Sequence, residues 1–190
     1  MVFGGEGSEV GQVRFPGAIT IDLRGNAIVA DHENHRIQWW GPDGKWLRAV
    51  GKKGRGNGEL MFPWGIALCP TTQSIFVGDT HSNRIVVFHS MSGAFIRNIG
   101  EYGQGHGELR HPRGLALDFV GRVVVADQKN GRIQAFWPNG THSYSSSSLG
   151  NGEHQLWYPI GLALLSNGLI VVADYGNHRV QVFAHSDSIT

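Results

Sequence analysis

The sequence predicts an all-β propeller built from four tandem copies of one unit, each folding as a four-stranded antiparallel blade. Three observations predict it. Aspartates that close an apolar run recur at Asp31, Asp79, Asp127 and Asp174, at spacings of 48, 48 and 47 residues. Prolines at Pro16, Pro63, Pro112 and Pro159 keep the same register, and an arginine follows each aspartate after five residues, at Arg36, Arg84, Arg132 and Arg179. That period is in the range of propeller blades and too long for leucine-rich or ankyrin repeats. Finally, 28 glycines accompany 41% hydrophobic and 10% aromatic residues. This excludes a disordered low-complexity chain and implies many tight turns between short apolar strands.

Each blade strand can be read in order. Strand a lies just past each proline, as in Gly114-Leu115-Ala116-Leu117-Asp118. Strand b is Ala27-Ile28-Val29-Ala30-Asp31 and its counterparts ending at Asp79, Asp127 and Asp174. Apolar on both pleat faces, it implies a strand covered on both sides, as when blades stack around an axis. The residue before each aspartate is small (Ala30, Gly78, Ala126, Ala173), consistent with crowding near that axis. Strand c follows as Ile37-Gln38-Trp39-Trp40 and its equivalents, each ending in an aromatic, and strand d comes after turns such as Pro42-Asp43-Gly44 and Pro138-Asn139-Gly140.

One domain over 1–190 is expected, with blades at about 15–51, 62–100, 111–150 and 158–190. After Phe183 no clear strand d remains, while Val2-Phe3-Gly4 aligns with the ends of the d strands at Val50-Gly51 and Ile99-Gly100. Residues 1–4 are therefore expected to complete the last blade if the four blades close a ring. The other expectation is an arc of a larger propeller, with a homodimer of arcs completing the ring.

A formal charge of +1 provides no global basic field, so any anion site must be a local patch. The lone Cys69 excludes an internal disulfide and a multi-cysteine zinc site, and fits a cytoplasmic chain without excluding a secreted one. No leader or membrane-spanning stretch is read, so no membrane partner is expected.

The segments Asp31-His32-Glu33-Asn34-His35-Arg36-Ile37 and Asp174-Tyr175-Gly176-Asn177-His178-Arg179-Val180 resemble the Asp-x-x-Asn-x-Arg-Ile core of NHL repeats. The linkers Gly54-Arg55-Gly56-Asn57-Gly58-Glu59-Leu60 and Gly103-Gln104-Gly105-His106-Gly107-Glu108-Leu109 resemble that family's connector. The chain departs from the pattern where Asn83 and Gly131 replace the eponymous His, and in the shortened fourth linker. The resemblance implies a propeller, often of six blades, with ligands bound on the face that carries the d-to-a linkers and b-to-c loops. It is similar to the NHL propellers of tripartite-motif proteins, some of which bind RNA through a basic face, and more distantly to peptidyl-amidating lyases.

On that face the expected binding residues are Trp64, Arg113 and Ile160, which follow the prolines, with Lys52, Lys53, Arg55, Arg110 and Lys129. Trp64 and Arg113 offer a stacking plane and a guanidinium fork. The run 45–55 contains five cations, Lys45, Arg48, Lys52, Lys53 and Arg55, and no acid, a local basic patch. Seven histidines (His32, His35, His81, His106, His111, His154 and His178) are expected there too. Because the Asp/Arg pairs recur in every blade, they read as structural, joining each b-to-c hairpin. No cofactor or metal is expected, since the lyases' zinc histidines correspond here to Gly17, Trp64, Arg113 and Ile160; His81 and His111 are the residual metal candidates. No catalytic residue is identified, because neither a nucleophile elbow nor paired carboxylates appear. The expected function is a non-catalytic module recognising a protein or RNA partner. The competing class is a metal-dependent lyase or lactonase-like propeller enzyme.

Overall fold

The computed structural model describes residues 1–184 and contains only strands, turns and single 3₁₀ turns. Blade 1 comprises β1 (Pro16–Ile21), β2 (Ala27–Asp31), β3 (Arg36–Trp40) and β4 (Trp46–Val50). Blade 2 comprises β5 (Pro63–Cys69), β6 (Ser74–Asp79), β7 (Arg84–His89) and β8 (Phe95–Ile99). A linker holding β9 (Glu101–Tyr102) and β10 (Glu108–Leu109) leads to blade 3, formed by β11 (Pro112–Leu117), β12 (Val123–Asp127), β13 (Arg132–Phe136) and β14 (His142–Ser146). A second such linker, β15 (Ser148–Leu149) and β16 (Gln155–Leu156), leads to β17 (Pro159–Leu164), β18 (Ile170–Asp174) and β19 (Arg179–Phe183) of blade 4. Each blade is an antiparallel sheet whose strands pair in chain order. The architecture is a four-bladed β-propeller, with β1, β5, β11 and β17 innermost and adjacent in that order.

The core lies between blades. Ile28, Ile37 and Trp39 of blade 1 pack against Ile66, Ile75, Val77 and Phe88 of blade 2. The same pairing recurs between blades 2 and 3, and again where Val124, Ile133 and Ala135 of blade 3 meet Ile170, Val172 and Phe183 of blade 4. Strand b is accordingly buried on both faces in the first three blades. Blade contact is close enough to dictate composition: a Cβ on Gly65 would stand 2.0 Å from the Arg113 carbonyl of the next blade, and one on Gly78 would meet Leu115 at 2.9 Å. The small residues before the aspartates thus make room for the neighbouring blade's innermost strand.

The b-to-c connection is a single 3₁₀ turn closed by a left-handed residue, at His35, Asn83, Gly131 and His178, with φ of 56°, 57°, 61° and 53°. His, Asn and Gly all tolerate that conformation better than most residues, which explains why they interchange there. Gly131 has a further reason: its Cβ would meet Leu149 Cα and the Leu156 carbonyl at 2.6 Å.

Residues 1–4 do not join blade 4, whose sheet has three strands among the described residues. They lie instead against blade 1, with the Phe3 ring tilted against Trp40, centroids 5.7 Å apart. The physical reason is the segment that follows them: it folds as the linker entering blade 1, with a parallel bridge Glu6↔Val13 like the bridge Lys53↔Leu60 before blade 2. Nor do blades 1 and 4 pack on each other as successive blades do, since β17 and β1 are not neighbours in the way that β1 and β5 are.

Substituting Gly65→Ala is expected to cost about 1–3 kcal/mol through overpacking against backbone that cannot retreat. Urea denaturation followed by tryptophan fluorescence measures it; a shift of under about 0.5 kcal/mol would contradict the close blade contact.

Candidate functional site

The face bearing the linkers and b-to-c turns is organised by four buried carboxylates. Asp127 Oδ1 accepts the Arg110 backbone N–H at 2.7 Å, and its Oδ2 accepts from Asn130 (2.9 Å), Arg132 Nε (2.8 Å) and Gln134 (3.1 Å). Arg132 then donates to the carbonyls of Gln104, Gly105 and Glu108. The pairs Asp31/Arg36, Asp79/Arg84 and Asp174/Arg179 repeat this at 2.8, 3.0 and 2.8 Å. Each pair therefore clamps the incoming linker to the b-to-c hairpin, a wider span than the hairpin alone. Asn34, Asn130 and Asn177 are the asparagines of the Asp-x-x-Asn-x-Arg-Ile core, whereas Gln38, Gln134 and Gln181 were not singled out from the sequence, although their recurrence seven residues after Asp carries the signal.

The glycine-rich linkers close on themselves. Glu59 Oε2 accepts the Gly56 N–H (2.8 Å) and Glu108 Oε2 that of Gly105 (2.7 Å), while Gln155 and Gln12 serve the other two linkers. The buried Leu60, Leu109 and Leu156 that follow anchor them. A loop whose N–H groups already hold its own carboxylate has no vacant cradle for a phosphate.

On this frame stands a file of rings crossing three blades. His32 meets Trp64 edge-on at 5.1 Å and Phe62 at 5.2 Å; Phe62 meets His35 at 4.4 Å and His81 at 4.6 Å; His81 meets His111 at 5.0 Å. Arg113 lies over the Trp64 ring, 4.2 Å from guanidinium carbon to centroid. The file depends on a feature absent from the sequence reading: Phe15, Phe62, His111 and Tyr158, each just before a blade proline, have φ between 48° and 57°. Bulky residues rarely adopt that conformation, and before proline it is further disfavoured. Cross-blade bonds hold it, with the Phe62 N–H donating to His35 Nδ1 (3.1 Å) and the His111 N–H to Asn83 Oδ1 (3.0 Å).

The cations separate into two groups. Lys53, Arg55 and Lys129 lie by the histidines: the charge of Lys53 acts on His35, Arg55 donates to the His81 carbonyl at 3.3 Å, and Lys129 acts on His81 and His111. Arg110 stacks on Tyr102 at 5.6 Å. Lys53, Arg110, Arg113 and Lys129 have no ion-pair partner among the described residues, and the Nε atoms of Arg110 and Arg113 are buried without a hydrogen-bond acceptor. Lys52 instead pairs with Glu59 at 3.3 Å. Of the remaining cations in 45–55, Lys45 pairs with Asp43, and Arg48 lies on Trp39 while reaching the Ser90 and Met91 carbonyls of blade 2. The run 45–55 is thus spread over the blade. Ile160 continues the row of post-proline positions, its carbonyl 2.8 Å from where a Cβ on Gly114 would stand. His106 groups with His142 (5.1 Å), and His154 lies near Phe183, both away from the file.

Burial, reinforced by neighbouring cations, depresses His81 and His111, the latter to about 4; burial also depresses His32 and His35. At neutral pH these four rings are therefore uncharged, leaving lysine and arginine to supply the field. Burial lowers Arg113 as well. No group of three or more His, Cys, Asp or Glu is placed to hold a metal ion among the described residues, His81 and His111 included.

Known proteins can be compared with this arrangement. The family model for the NHL repeat matches residues 60–88 and 156–183, each spanning the linker leucine, strand a, the aspartate turn and strand c. Two of the four repeats, those of blades 2 and 4, match the NHL repeat. A Drosophila melanogaster relative, Protein brain tumor, is 30% identical over 86 residues, which cover 44% of this chain and 8% of that protein. Among solved structures, a catalytically inactive virginiamycin B lyase from Staphylococcus aureus with quinupristin superposes at TM-score 0.66 and 14% identity, covering 91% of this chain and 56% of that one. The WD40 β-propeller domain of Doa1 superposes at TM-score 0.66 and 16% identity, covering 94% and 52%. The chain thus shares the propeller fold with both and spans about half the length of each. Among its described residues no helix is long and apolar enough to cross a membrane.

His111 is expected to titrate near pH 4, and Lys129→Ala with Arg113→Ala to move it upward toward 6.5 by removing like charge. Imidazole proton shifts followed by NMR measure both; a wild-type midpoint near 6.5 would contradict the enclosed geometry.

Proposed function

We propose that this NHL propeller is a non-catalytic binding module that takes single-stranded RNA across the ring file of blades 1–3, with Trp64 and Arg113 at its centre. The observation that carries the reading is the guanidinium of Arg113 over the Trp64 ring without a carboxylate partner, beside a file of uncharged rings and unpaired cations. Bases stack on aromatic and guanidinium planes, while phosphates follow the adjacent positive charge. Glu33, paired with Arg14 at 3.3 Å, marks the edge of this surface. The family supports the reading, since NHL propellers commonly serve as protein- or RNA-binding platforms. An acidic protein segment would use the cations but not the stacking planes.

Fluorescence anisotropy with a labelled single-stranded RNA tests this. Trp64→Ala is expected to weaken binding by about 1–3 kcal/mol, the cost of one lost stacked base. Charge reversal at Arg113 and Lys53 is expected to abolish binding, and Lys129→Ala to flatten the logarithmic salt dependence by about 0.7. Unchanged affinity after reversal would refute the site, and acidic peptides bound in preference to RNA would replace the ligand.

Affinity is expected to rise as pH falls from 8 to 5.5. A bound phosphate favours the protonated ring, so the bound-state pKa of His32, His81 and His111 exceeds the depressed free value, and protons are taken up on binding. The same titration in a His32→Gln, His81→Gln variant, which leaves Lys129 and Arg113 in place, separates this contribution from the fixed charges.

A further inference from the structure

Blades 1 and 4 each leave uncovered a face that every other blade buries. In strand c, Ile133 and Ala135 of blade 3 are fully buried against blade 4, as are Ile37 and Trp39 of blade 1 against blade 2; their equivalents in blade 4, Val180 and Val182, are 67% and 50% exposed. On strand b the same sheet face carries Val171 and Ala173, paired with Val182 and Val180. At the other end, Ile66 of blade 2 and Leu115 of blade 3 are buried, whereas their equivalent in blade 1, Ile19, borders with Val29 an open apolar cleft of about 320 Å³. Ile19 is 59% exposed.

These two faces are the two halves of one interface type that the chain already forms three times. A Cβ on Gly17, Gly65 or Gly114 would collide with the next blade's backbone, but one on Gly161 would meet only Ala173 of its own blade, at 3.9 Å. The seat beside Gly161 is vacant. The matching detail extends to the rim. His35 of blade 1 accepts the N–H of Phe62 and packs against its ring; His178 occupies the same left-handed position in blade 4, and Phe15, 68% exposed, the same pre-proline position ahead of blade 1.

Residues 1–4 supply the last part. Val50 and Ile99, at the ends of β4 and β8, touch the c-to-d turn of the following blade near Gly93 and Gly140, and Phe3 touches the equivalent turn of blade 1 near Gly44. Gly4, with φ 82°, matches Gly51 (91°) and Gly100 (75°). Phe3 therefore sits where the outer strand of a preceding blade ends. Blade 4, among the described residues, lacks that strand outside β19.

We propose that the chain pairs head to tail with a second copy of itself, blade 1 of each copy seating on blade 4 of the other and residues 1–4 extending the partner's β19. The contact continues the three interfaces within the chain, and two arcs form it twice, which doubles the buried surface over a single blade contact. A head-to-tail contact either closes or runs on as a filament. Closure at two copies follows if four blades subtend half a turn.

Sedimentation of the 190-residue chain up to about 50 μM tests this. The expected result is a species of about twice the 20.8 kDa of one chain. Val182→Lys and Ile19→Lys alter exposed side chains on opposite faces, so each is expected to retain the far-ultraviolet dichroism of the parent and to lose the pair. Gly161→Ala is expected to do the same, with unchanged monomer stability. Mixing Val182→Lys with Ile19→Lys should restore pairing through the one intact interface, which a face-to-itself contact cannot do. A parent chain that stays single throughout, growth beyond two copies, or a pair that survives both lysines would overturn the proposal.

Discussion

The buried aspartate that ends strand b is the constraint on which the architecture depends. A carboxylate without water is costly unless every lone pair is used, and each of the four is supplied by a backbone N–H ahead of the blade proline and by the arginine of strand c. Those donors come from separate stretches of chain, so satisfying the charge fixes where the linker enters, how the hairpin turns and where strand a begins. The left-handed turn residue and the pre-proline residue are then brought within reach of one another across the blade boundary. The ring file on the linker-bearing face is a consequence of this chain of fixed positions.

Electrostatics and packing pull the carboxylates in different directions along the arc. Burial raises Asp79 and Asp127 despite their hydrogen bonds, whereas at Asp174 burial also raises the pKa but the bonds from Asn177, Trp157, Arg179 and Gln181 outweigh it. Asp79 and Asp127 have a further blade beyond them, and Asp174 does not. The same chemistry thus reports on how much protein surrounds it.

Much of the fold was legible in the sequence because its cause is periodic. The Asp spacing and the doubly apolar strand b identify blades, and the alternation of short strands with Gly-containing turns identifies their edges. Trp64 and Arg113 were legible as partners because both follow a proline that fixes their place. The ring file was not, since it requires Phe62 and His111 to adopt a backbone conformation that their own side chains disfavour. The fate of residues 1–4 was also hidden: Phe3 lies against the c-to-d turn of blade 1 as Val50 lies against that of blade 2, but their alignment does not say on which blade residues 1–4 pack. Likewise the cations of 45–55 are consecutive in sequence yet divided by strand geometry between a turn, a blade surface and the linker.

The one-sided packing of the terminal blades also shapes how the molecule comes apart. In a row of units held only by their neighbours, cooperativity is passed from one unit to the next, and the outermost members have half the support of those inside. In the unpaired chain blades 2 and 3 therefore form the slow-exchanging kernel, with fraying advancing inward from either end. Trp64 and Arg113 both belong to that kernel, so the stacking centre sits on the portion of the arc that opens last.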